Sequence, residues 1–446
     1  MSITFQEPAS FRDRTAQVFY RDGEVHRRLD DEALSHWRCL EQTKFFRRFT
    51  DEKKLIATEE IQPGTLLHEK IPFVSYPYEW SFSMLQDAAL LHLELMLAAL
   101  EEDMILKDSS SYNVQWCGSH PVFIDIPSFV SHPSNQPWIG YRQFCQLFLF
   151  PLMLRAYRGI PFQPWLRGRL DGITVKECRS LMSLRDWFRG GVFRHVILHA
   201  MLTSNRPSTK IRREFKSLGF HKALIEANVR GLQRIIRRMR PAKSSTWSKY
   251  EQTWTYSETE ANEKQTFVEE CLDSRKWSTI WDLGCNTGRF TRLAAQRAKA
   301  VLAFDSDEVC VDALYREKIT NVLPLVMNLA DASPSQGWNG RERKSIGERG
   351  QADLTLCLAL IHHLAIGARL PIEEVMSWLA NHTRHLILEV PTTQDPMVQS
   401  LMQAHGDSSS IYSLERCEEA LHMSFTILRR HSLESGSRVL YFVEKK

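Results

Sequence analysis

The sequence predicts an α/β protein whose C-terminal half forms a parallel sheet flanked by helices. Three observations predict this class. An apolar strand at residues 280–283 runs into a glycine turn and a helical stretch, a second apolar strand ends at Asp305, and further apolar strands alternate with helical segments to the end of the chain. Such alternation is typical of parallel sheets.

A chain of 446 residues is longer than the chains that usually fold around one hydrophobic core, so two or more domains are expected. Residues 1–245 are predicted to form a mixed α/β domain that ends in a basic helical segment at 211–239. The stretch PAKSS at 241–245 has the composition of a linker. Residues 246–446 then form the second domain.

The second domain is organised around the ten residues 281–290, WDLGCNTGRF. Gly284, Asn286 and Gly288 allow a tight turn that presents backbone N–H groups at a helix N-terminus, beside the carboxyl end of a strand. A dinucleotide fingerprint has its second glycine where this chain has Asn286, and a side chain there argues against a pyrophosphate. A ligand without a pyrophosphate, such as S-adenosylmethionine, suits this turn.

An acidic residue lies at the distance expected for binding a ribose. Asp305 stands 21 residues after Gly284, and an acid about 20 residues after such a turn can accept hydrogen bonds from ribose hydroxyls. Together these residues resemble the class I S-adenosylmethionine-dependent methyltransferase family. The alternative is that the strand, turn and helix begin some other α/β unit.

The resemblance implies a Rossmann-like seven-stranded sheet with the strand order 3-2-1-4-5-7-6 over residues 246–446. It also implies S-adenosyl-L-methionine as the cofactor. Residues just after the third strand lie beside the adenine in this family, so one of two polar residues there is expected to contact the ring. The cofactor-binding residues implied are Asp282, Gly284, Cys285, Asn286, Gly288, Asp305, Asn328 and Asp331.

The candidate catalytic residues are His362, His363 and Glu389. In the family, residues after the fourth strand face the transferred methyl group, and here they include the two histidines. Imidazole titrates near neutrality and suits removal of a proton from an acceptor hydroxyl or amine. Glu389 ends the fifth strand and is placed to contact the substrate or the histidines. Packing or cofactor positioning are the alternative roles, and two adjacent histidines do not predict a metal site.

A charged loop, GWNGRERKS at 337–345, precedes the fourth strand. Loops at the carboxyl edge of such a sheet commonly grip the substrate. Trp338, Arg341 and Arg343 are therefore the candidate substrate residues, and the arginines favour an anionic or hydroxyl-rich acceptor.

The N-terminal domain contains a second informative stretch, LKDSSSYNVQWCGSHPVFID. Asp108, Asn113 five residues later, and Asp125 after a predicted hairpin resemble the catalytic loop of the protein-kinase and aminoglycoside-phosphotransferase superfamily. The resemblance implies a nucleotide and magnesium site in a kinase-like domain of degenerate form. The His-Arg before the first Asp, the Gly after the last and a glycine-rich loop are all missing. The alternative is a hairpin with polar turn residues.

Composition and charge restrict the partners and the cellular compartment that we expect for the protein. The net charge of +4 is too small to call for nucleic acid, so no nucleic-acid partner is expected. The nine cysteines are scattered without a C-x-x-C pair, which favours a reducing cytoplasm over a disulfide framework or zinc site. No signal peptide and no uninterrupted apolar run of ~20 residues is evident, so a soluble, cytoplasmic protein without a membrane span is expected.

Six stretches distributed along the chain, YPYEW, LKDSSSYN, PVFID, DLGCNTGRF, GWNGRERKS and LIHHL, are similar to a family of rhizobial host-specific nodulation proteins. This resemblance implies a role in legume nodulation, with a small-molecule or carbohydrate acceptor for the methyl group. Three functions stay open: a methyltransferase, a nucleotide-binding or phosphotransfer module in the N-terminal domain, and a non-catalytic nodulation accessory protein.

Overall fold

The computed structural model of the chain describes residues 4–132, 136–204, 222–241, 257–405 and 412–446. The chain forms two compact units, one of Met1–Lys243 with Gly337–Glu342 and the other of Ser244–Gln336 with Arg343–Lys446. The division after residue 243 lies near the boundary predicted after residue 245. Most of the predicted linker, 242–245, and the first part of the basic segment, 211–221, lie outside the described residues.

The N-terminal unit contains an antiparallel five-stranded sheet in the order β1-β2-β3-β5-β4, and two small two-stranded sheets, β6-β9 and β7-β8. The strands are β1 (Thr4–Gln6), β2 (Ala16–Arg21), β3 (Glu24–Leu29), β4 (Thr58–Gln62), β5 (Thr65–His68), β6 (Met104–Leu106), β7 (Val114–Cys117), β8 (His120–Phe123) and β9 (Phe129–Ser131). The β7-β8 pair is the hairpin predicted from the sequence.

Helices make up most of the rest of this unit. They are α1 (Asp31–Glu41), α2 (Lys44–Asp51), α3 (Phe82–Glu101), α4 (Tyr141–Phe144), α5 (Phe150–Arg158), α6 (Gln163–Gly168), α7 (Val175–Leu181), α8 (His199–Ser204) and α9 (Lys222–Arg238). π-Helical turns at Cys145–Leu149 and Phe193–Leu198 lead directly into α5 and α8.

Helix α3 forms the centre of the N-terminal core. Its run of Leu, Ala and Met favours a helix, and the Ser81 hydroxyl caps the first turn by accepting from the Met84 N–H at 3.5 Å. Among the described residues this helix is long and apolar enough to cross a membrane, but 72% of its most apolar window is buried inside the protein. Because its apolar surface is already covered by protein, we interpret it as a core helix.

The C-terminal unit is built on a seven-stranded sheet in the order β12-β11-β10-β13-β14-β16-β15. The first five strands in this order are parallel, and β16 lies antiparallel between β14 and β15. The strands are β10 (Trp277–Leu283), β11 (Ala298–Asp305), β12 (Val322–Val326), β13 (Ala352–Cys357), β14 (Thr383–Pro391), β15 (Phe425–Ser432) and β16 (Arg438–Lys445). This is the predicted order 3-2-1-4-5-7-6, so the predicted sheet is confirmed.

The described helices of this unit are α10 (Glu258–Asp273), α11 (Arg289–Ala295), α12 (Glu308–Arg316), α13 (Ile372–His382), α14 (Pro396–His405) and α15 (Leu414–Ser424). Apolar residues from the central strands β10 and β13, including Ile280, Leu354 and Leu356, form a core cluster with Phe267 and Val268 of α10. The carboxyl ends of β10, β11, β12 and β13 consequently meet at one edge of a rigid sheet, where ligand sites form in open α/β folds.

Candidate functional site

A cavity of about 390 Å³ lies at this carboxyl edge, entirely within the C-terminal unit. Helix α10, the turn after β10, the end of β11 and the segments after β12 and β13 all contribute to its lining. The volume falls within the range of roughly 300–1,000 Å³ that is usual for small-molecule sites. The cavity therefore has the size and the position expected of a cofactor site.

The glycine turn forms one wall of the cavity. Gly284, Asn286 and Gly288 all have positive φ angles, of 75°, 47° and 90°. The N–H groups of Gly284 and Cys285 donate to the Phe304 carbonyl at 2.8 and 3.0 Å, which fixes the turn against the end of β11. Gly284, Cys285 and Asn286 line the cavity, whereas Gly288 does not.

Gly288 has a structural reason to be glycine. It precedes the first residue of α11, and a Cβ atom at this position would lie 2.5 Å from the Leu314 side chain of α12. Its role is therefore to bring the two helices together beneath the turn, rather than to touch a ligand directly.

Asp305, the predicted ribose-binding acid, lines the cavity beside the turn. Its carboxylate accepts hydrogen bonds from the backbone N–H groups of Asn286 at 2.8 Å and Asp307 at 2.9 Å. Each bond uses a different oxygen, so each oxygen keeps acceptor capacity. Burial raises the pKa of this carboxyl.

Asp282 also lines the cavity, at the end of β10. Its carboxylate is buried and accepts from the Thr291 hydroxyl at 2.5 Å. Burial raises its pKa to about 6, and the nearby charge of Asp305 acts in the same direction. The site thus holds a carboxyl group that is costly to ionise unless a positive charge lies near it.

We expect Asp282→Asn to make the unliganded protein more stable above pH 6. An unfolded aspartate ionises near its ordinary pKa of 3.8, whereas folded Asp282 ionises near 6, so the wild-type protein loses stability as the pH rises through this interval. The shift corresponds to about 3 kcal/mol. Urea unfolding of both proteins on either side of pH 6 measures it. Equal pH dependence in the two proteins would contradict the assignment.

The two predicted adenine contacts lie in different places relative to the cavity. Asn328 lines it, and its side-chain oxygen accepts from the Ala330 N–H at 3.0 Å. Leu329 and Ala330 also line it, whereas Asp331 does not. Between the two alternatives, the geometry favours Asn328.

Of the two adjacent histidines, one lines the cavity and the other does not. His363 begins the π-helical turn His363–Gly367 and lines the cavity. His362 is fully buried outside the lining, and neither of its ring nitrogens has a hydrogen-bond partner among the described residues. Burial lowers the pKa of both imidazoles, so both are neutral at physiological pH.

Glu389 lies in a buried network of charges instead of lining the cavity. Lys264 of α10 donates to one Glu389 oxygen at 2.6 Å, and Arg438 of β16 donates to the other at 3.0 Å. Arg438 also pairs with buried Asp395 at 2.7 Å. Two cations and two carboxylates balance each other, so the network supports the base of the site.

Lys264 is a site residue that sequence reasoning missed. It lines the cavity, lies 5.0 Å from the centre of the Phe290 ring, and holds Glu389. Burial lowers its pKa, and the pairing with Glu389 opposes that effect. The sequence pattern could have identified it, because Lys264 shares one helical face with Ala261 and Val268, and a lysine is unusual on an apolar face.

The predicted substrate residues lie outside the described cavity lining. Trp338 and Arg341 are exposed and belong to the short segment 337–342 that joins the N-terminal unit, where Glu342 pairs with Arg12 at 2.6 Å. Arg343 belongs to the C-terminal unit. The substrate-binding role of these three residues stays a prediction.

The three N-terminal residues compared with a kinase loop do lie near one another. Asn113 donates to Asp125 at 3.2 Å. Burial raises the pKa of half-buried Asp108, and the charge of Asp125 acts in the same direction. However, Arg27 of β3 pairs with Asp125 at 2.7 Å and Ser128 also donates to it, so Asp125 already has a positive partner. In the described part of the chain, no three His, Cys, Asp or Glu side chains are arranged for a metal ion. The nucleotide site stays a prediction.

No protein-family model matches the chain. Among solved structures, it is similar to the N-methyltransferase NodS from Bradyrhizobium japonicum WM9, with 12% identity and a TM-score of 0.33 over 42% of this chain and 98% of NodS. It is also similar to the magnesium protoporphyrin IX methyltransferase ChlM from Synechocystis PCC 6803, with 17% identity and a TM-score of 0.32 over 46% of this chain and 95% of ChlM.

Over almost its whole length, the chain is similar to the nodulation protein NoeA of Rhizobium meliloti strain 1021. The two sequences are 34% identical over an alignment 460 positions long, gaps included, which covers 98% of this chain and 95% of NoeA. The predicted resemblance is thereby confirmed, and the chain belongs to the family of the nodulation protein NoeA.

Proposed function

We propose that the chain is an S-adenosylmethionine-dependent methyltransferase. The observation that carries this proposal is the cavity, where the glycine turn, Asp305 and Asn328 converge at the carboxyl edge of a sheet ordered 3-2-1-4-5-7-6. A dinucleotide fits less well, because Asn286 puts a side chain where a pyrophosphate requires close backbone approach.

The charges of the cavity also suit a zwitterionic nucleoside with a sulfonium centre. Asp305 would hold the ribose hydroxyls, and Asn328 with Leu329 would contact the adenine. The Lys264 ammonium favours a carboxylate, while Asp282 favours a positive charge. When bound, S-adenosylmethionine supplies a methyl group on sulfur that an acceptor nucleophile can take by in-line displacement.

His363 is the residue best placed to receive a proton from the acceptor. It lines the cavity, and its lowered pKa leaves the imidazole neutral, which is the form that accepts a proton. His362 is buried away from the cavity. Of the predicted catalytic residues, His363 is therefore our candidate general base, and His362 and Glu389 support the structure around it.

The acceptor is proposed to be a small molecule or a carbohydrate, and the process host-specific nodulation. Membership of the NoeA family supports the process. We also propose a cytoplasmic location, because all nine cysteines are free and seven are buried thiols, as is usual in a reducing compartment.

Labelled methyl transfer from S-adenosylmethionine to a panel of chitooligosaccharides and other hydroxyl and amine acceptors tests the proposal. We expect His363→Gln to lower kcat by about 10²–10⁴-fold and to remove the acidic limb of the pH profile, with cofactor affinity unchanged. His362→Gln is the matched control for loss of a neighbouring imidazole. If the two variants have equal activity, the assignment of His363 as the base is wrong.

The remaining candidate functions have less support. Arg27 is the cation paired with Asp125, in the place where phosphotransfer would need magnesium. A non-catalytic accessory protein would be recognised by a nodulation phenotype that survives loss of cofactor binding. Inoculating plants with a strain that carries Asp305→Ala distinguishes a methyltransferase from an accessory protein. If the protein acts as a methyltransferase, nodulation should be impaired as in a deletion strain.

A further inference from the structure

Large apolar side chains are concentrated on the surface of one segment of the N-terminal unit, between residues 184 and 202. Phe188 is 94% exposed, Leu184 73% and Leu202 62%, and Phe193 and Leu198 are exposed as well. Soluble proteins rarely expose so many large apolar groups together, and such patches commonly mark interaction sites.

These side chains lie on two adjoining elements. The π-helical turn Phe193–Leu198 continues directly into α8, so Phe193, Leu198 and Leu202 follow one another at spacings of five and four residues. A spacing of five in a π-helix and a spacing of four in an α-helix each exceed one turn slightly, so these residues follow one another along the helix. The preceding turn Leu184–Phe188 packs against this helix. We refer to the exposed apolar groups of these two adjoining elements as the stripe.

The opposite side of the same helix is buried. His195, Val196 and Ala200 face the interior of the unit. A helix that is apolar on both sides is normally covered on both sides. The exposed stripe is therefore not the by-product of a surface helix, and covering it would remove further apolar area from water.

The exposed charged residues between residues 184 and 202 are of one sign. Arg185, Arg189 and Arg194 are exposed on the same segment. The acid among them, Asp186, is buried, caps the turn through Ser183, and pairs with Arg158 and Arg189. The stripe thus presents apolar side chains with arginines beside them and no exposed carboxylate between residues 184 and 202.

We propose that this stripe binds the surface of an anionic lipid membrane. Apolar side chains can enter the boundary between headgroups and acyl chains, while arginines on the same segment contact lipid phosphates. An arginine can do both, because its apolar stem lies along the hydrocarbon and its guanidinium reaches the headgroups. The helical stretch 193–204 is too short to span a bilayer, so it lies on the surface.

Sedimentation of the full chain with phosphatidylcholine vesicles, with and without phosphatidylglycerol, tests this inference. We expect binding to the anionic vesicles that weakens with added salt, and weak binding to phosphatidylcholine alone. The double variant Phe188→Ser, Leu202→Ser is expected to weaken binding by about tenfold or more, since both apolar anchors are lost. Arg185→Glu, Arg194→Glu is expected to abolish the preference for anionic lipid.

Met423→Ser, Leu428→Ser is the matched control, because these exposed apolar residues lie in the C-terminal unit. It is expected to bind vesicles as the wild type does. All four stripe substitutions are at exposed positions, and circular dichroism confirms that the variants fold. Absence of vesicle binding, or equal binding by the stripe variants, would overturn the proposal. So would a change of molar mass by light scattering in the serine variant without loss of vesicle binding, since the stripe would then join protein chains.

Discussion

Replacing Glu389 with alanine is expected to lower the free energy of unfolding by about 3–5 kcal/mol. Glu389 is fully buried between Lys264 and Arg438, which are themselves 8% and 3% exposed. Removing the carboxylate leaves two cations close together in the protein interior without their shared partner. Urea unfolding at neutral pH measures the loss.

The control for this substitution is Glu270→Gln, which breaks the exposed ion pair with Arg429. Exposed pairs contribute about 0–1 kcal/mol, so this variant is expected to unfold almost as the wild type does. If Glu389→Ala kept wild-type stability and lost only methyl transfer, Glu389 would be a catalytic residue, and our structural interpretation of the network would be wrong.

Replacing Asp305 with alanine is expected to weaken binding of S-adenosylmethionine by about 10²–10⁴-fold. In the proposed function the carboxylate accepts from two ribose hydroxyls, and hydrogen bonds to charged groups contribute about 1.5–3 kcal/mol each. The substitution also removes the acceptor that holds the Asn286 N–H, and so loosens the turn. Asp305→Asn is expected to bind S-adenosylmethionine with an affinity between those of the wild type and Asp305→Ala, because the amide retains one acceptor oxygen.

Asp331→Ala provides the comparison for Asp305→Ala. Asp331 was the alternative adenine contact in the sequence, but it lies outside the cavity lining. Isothermal titration with S-adenosylmethionine is expected to give this variant the wild-type Kd. A large loss of affinity in Asp331→Ala, together with a small one in Asp305→Ala, would mean that the cofactor binds elsewhere.

The sheet of the C-terminal unit could be predicted because its signals are local. A buried parallel strand is a short apolar run, and the turn at Gly284 and the acid at Asp305 have a fixed separation along the chain. Features of this kind can be identified in one sequence, and they also fix the carboxyl edge where the cavity lies.

The strand order of the antiparallel sheet in the N-terminal unit could not be predicted from the sequence, and the reason is physical. Strands β2 and β3 do not alternate regularly between buried and exposed positions, and they carry polar residues and arginines. Their pairing depends on neighbours along the sheet rather than on their own pattern. Helix α3 was predictable because twenty residues without a breaker contain its signal.

The charges beneath the cavity illustrate what sequence patterns omit. Lys264, Glu389 and Arg438 lie on three different elements, and only the fold brings them into contact. Sequence position placed Glu389 correctly at the end of a strand, but could not show that two cations enclose it. Likewise, adjacent His362 and His363 are equivalent in sequence, and the π-helical turn decides which one faces the cavity.

The most direct test of the account is isothermal titration of the full chain with S-adenosylmethionine, for the wild type and for Gly284→Arg. Gly284 lines the cavity, has a φ of 75°, and lies against Leu360, so an arginine there strains the turn and fills the site. We expect single-site binding to the wild type and none to the variant, which circular dichroism should show to be folded. Absence of binding by the wild type, or equal binding by both proteins, would contradict it.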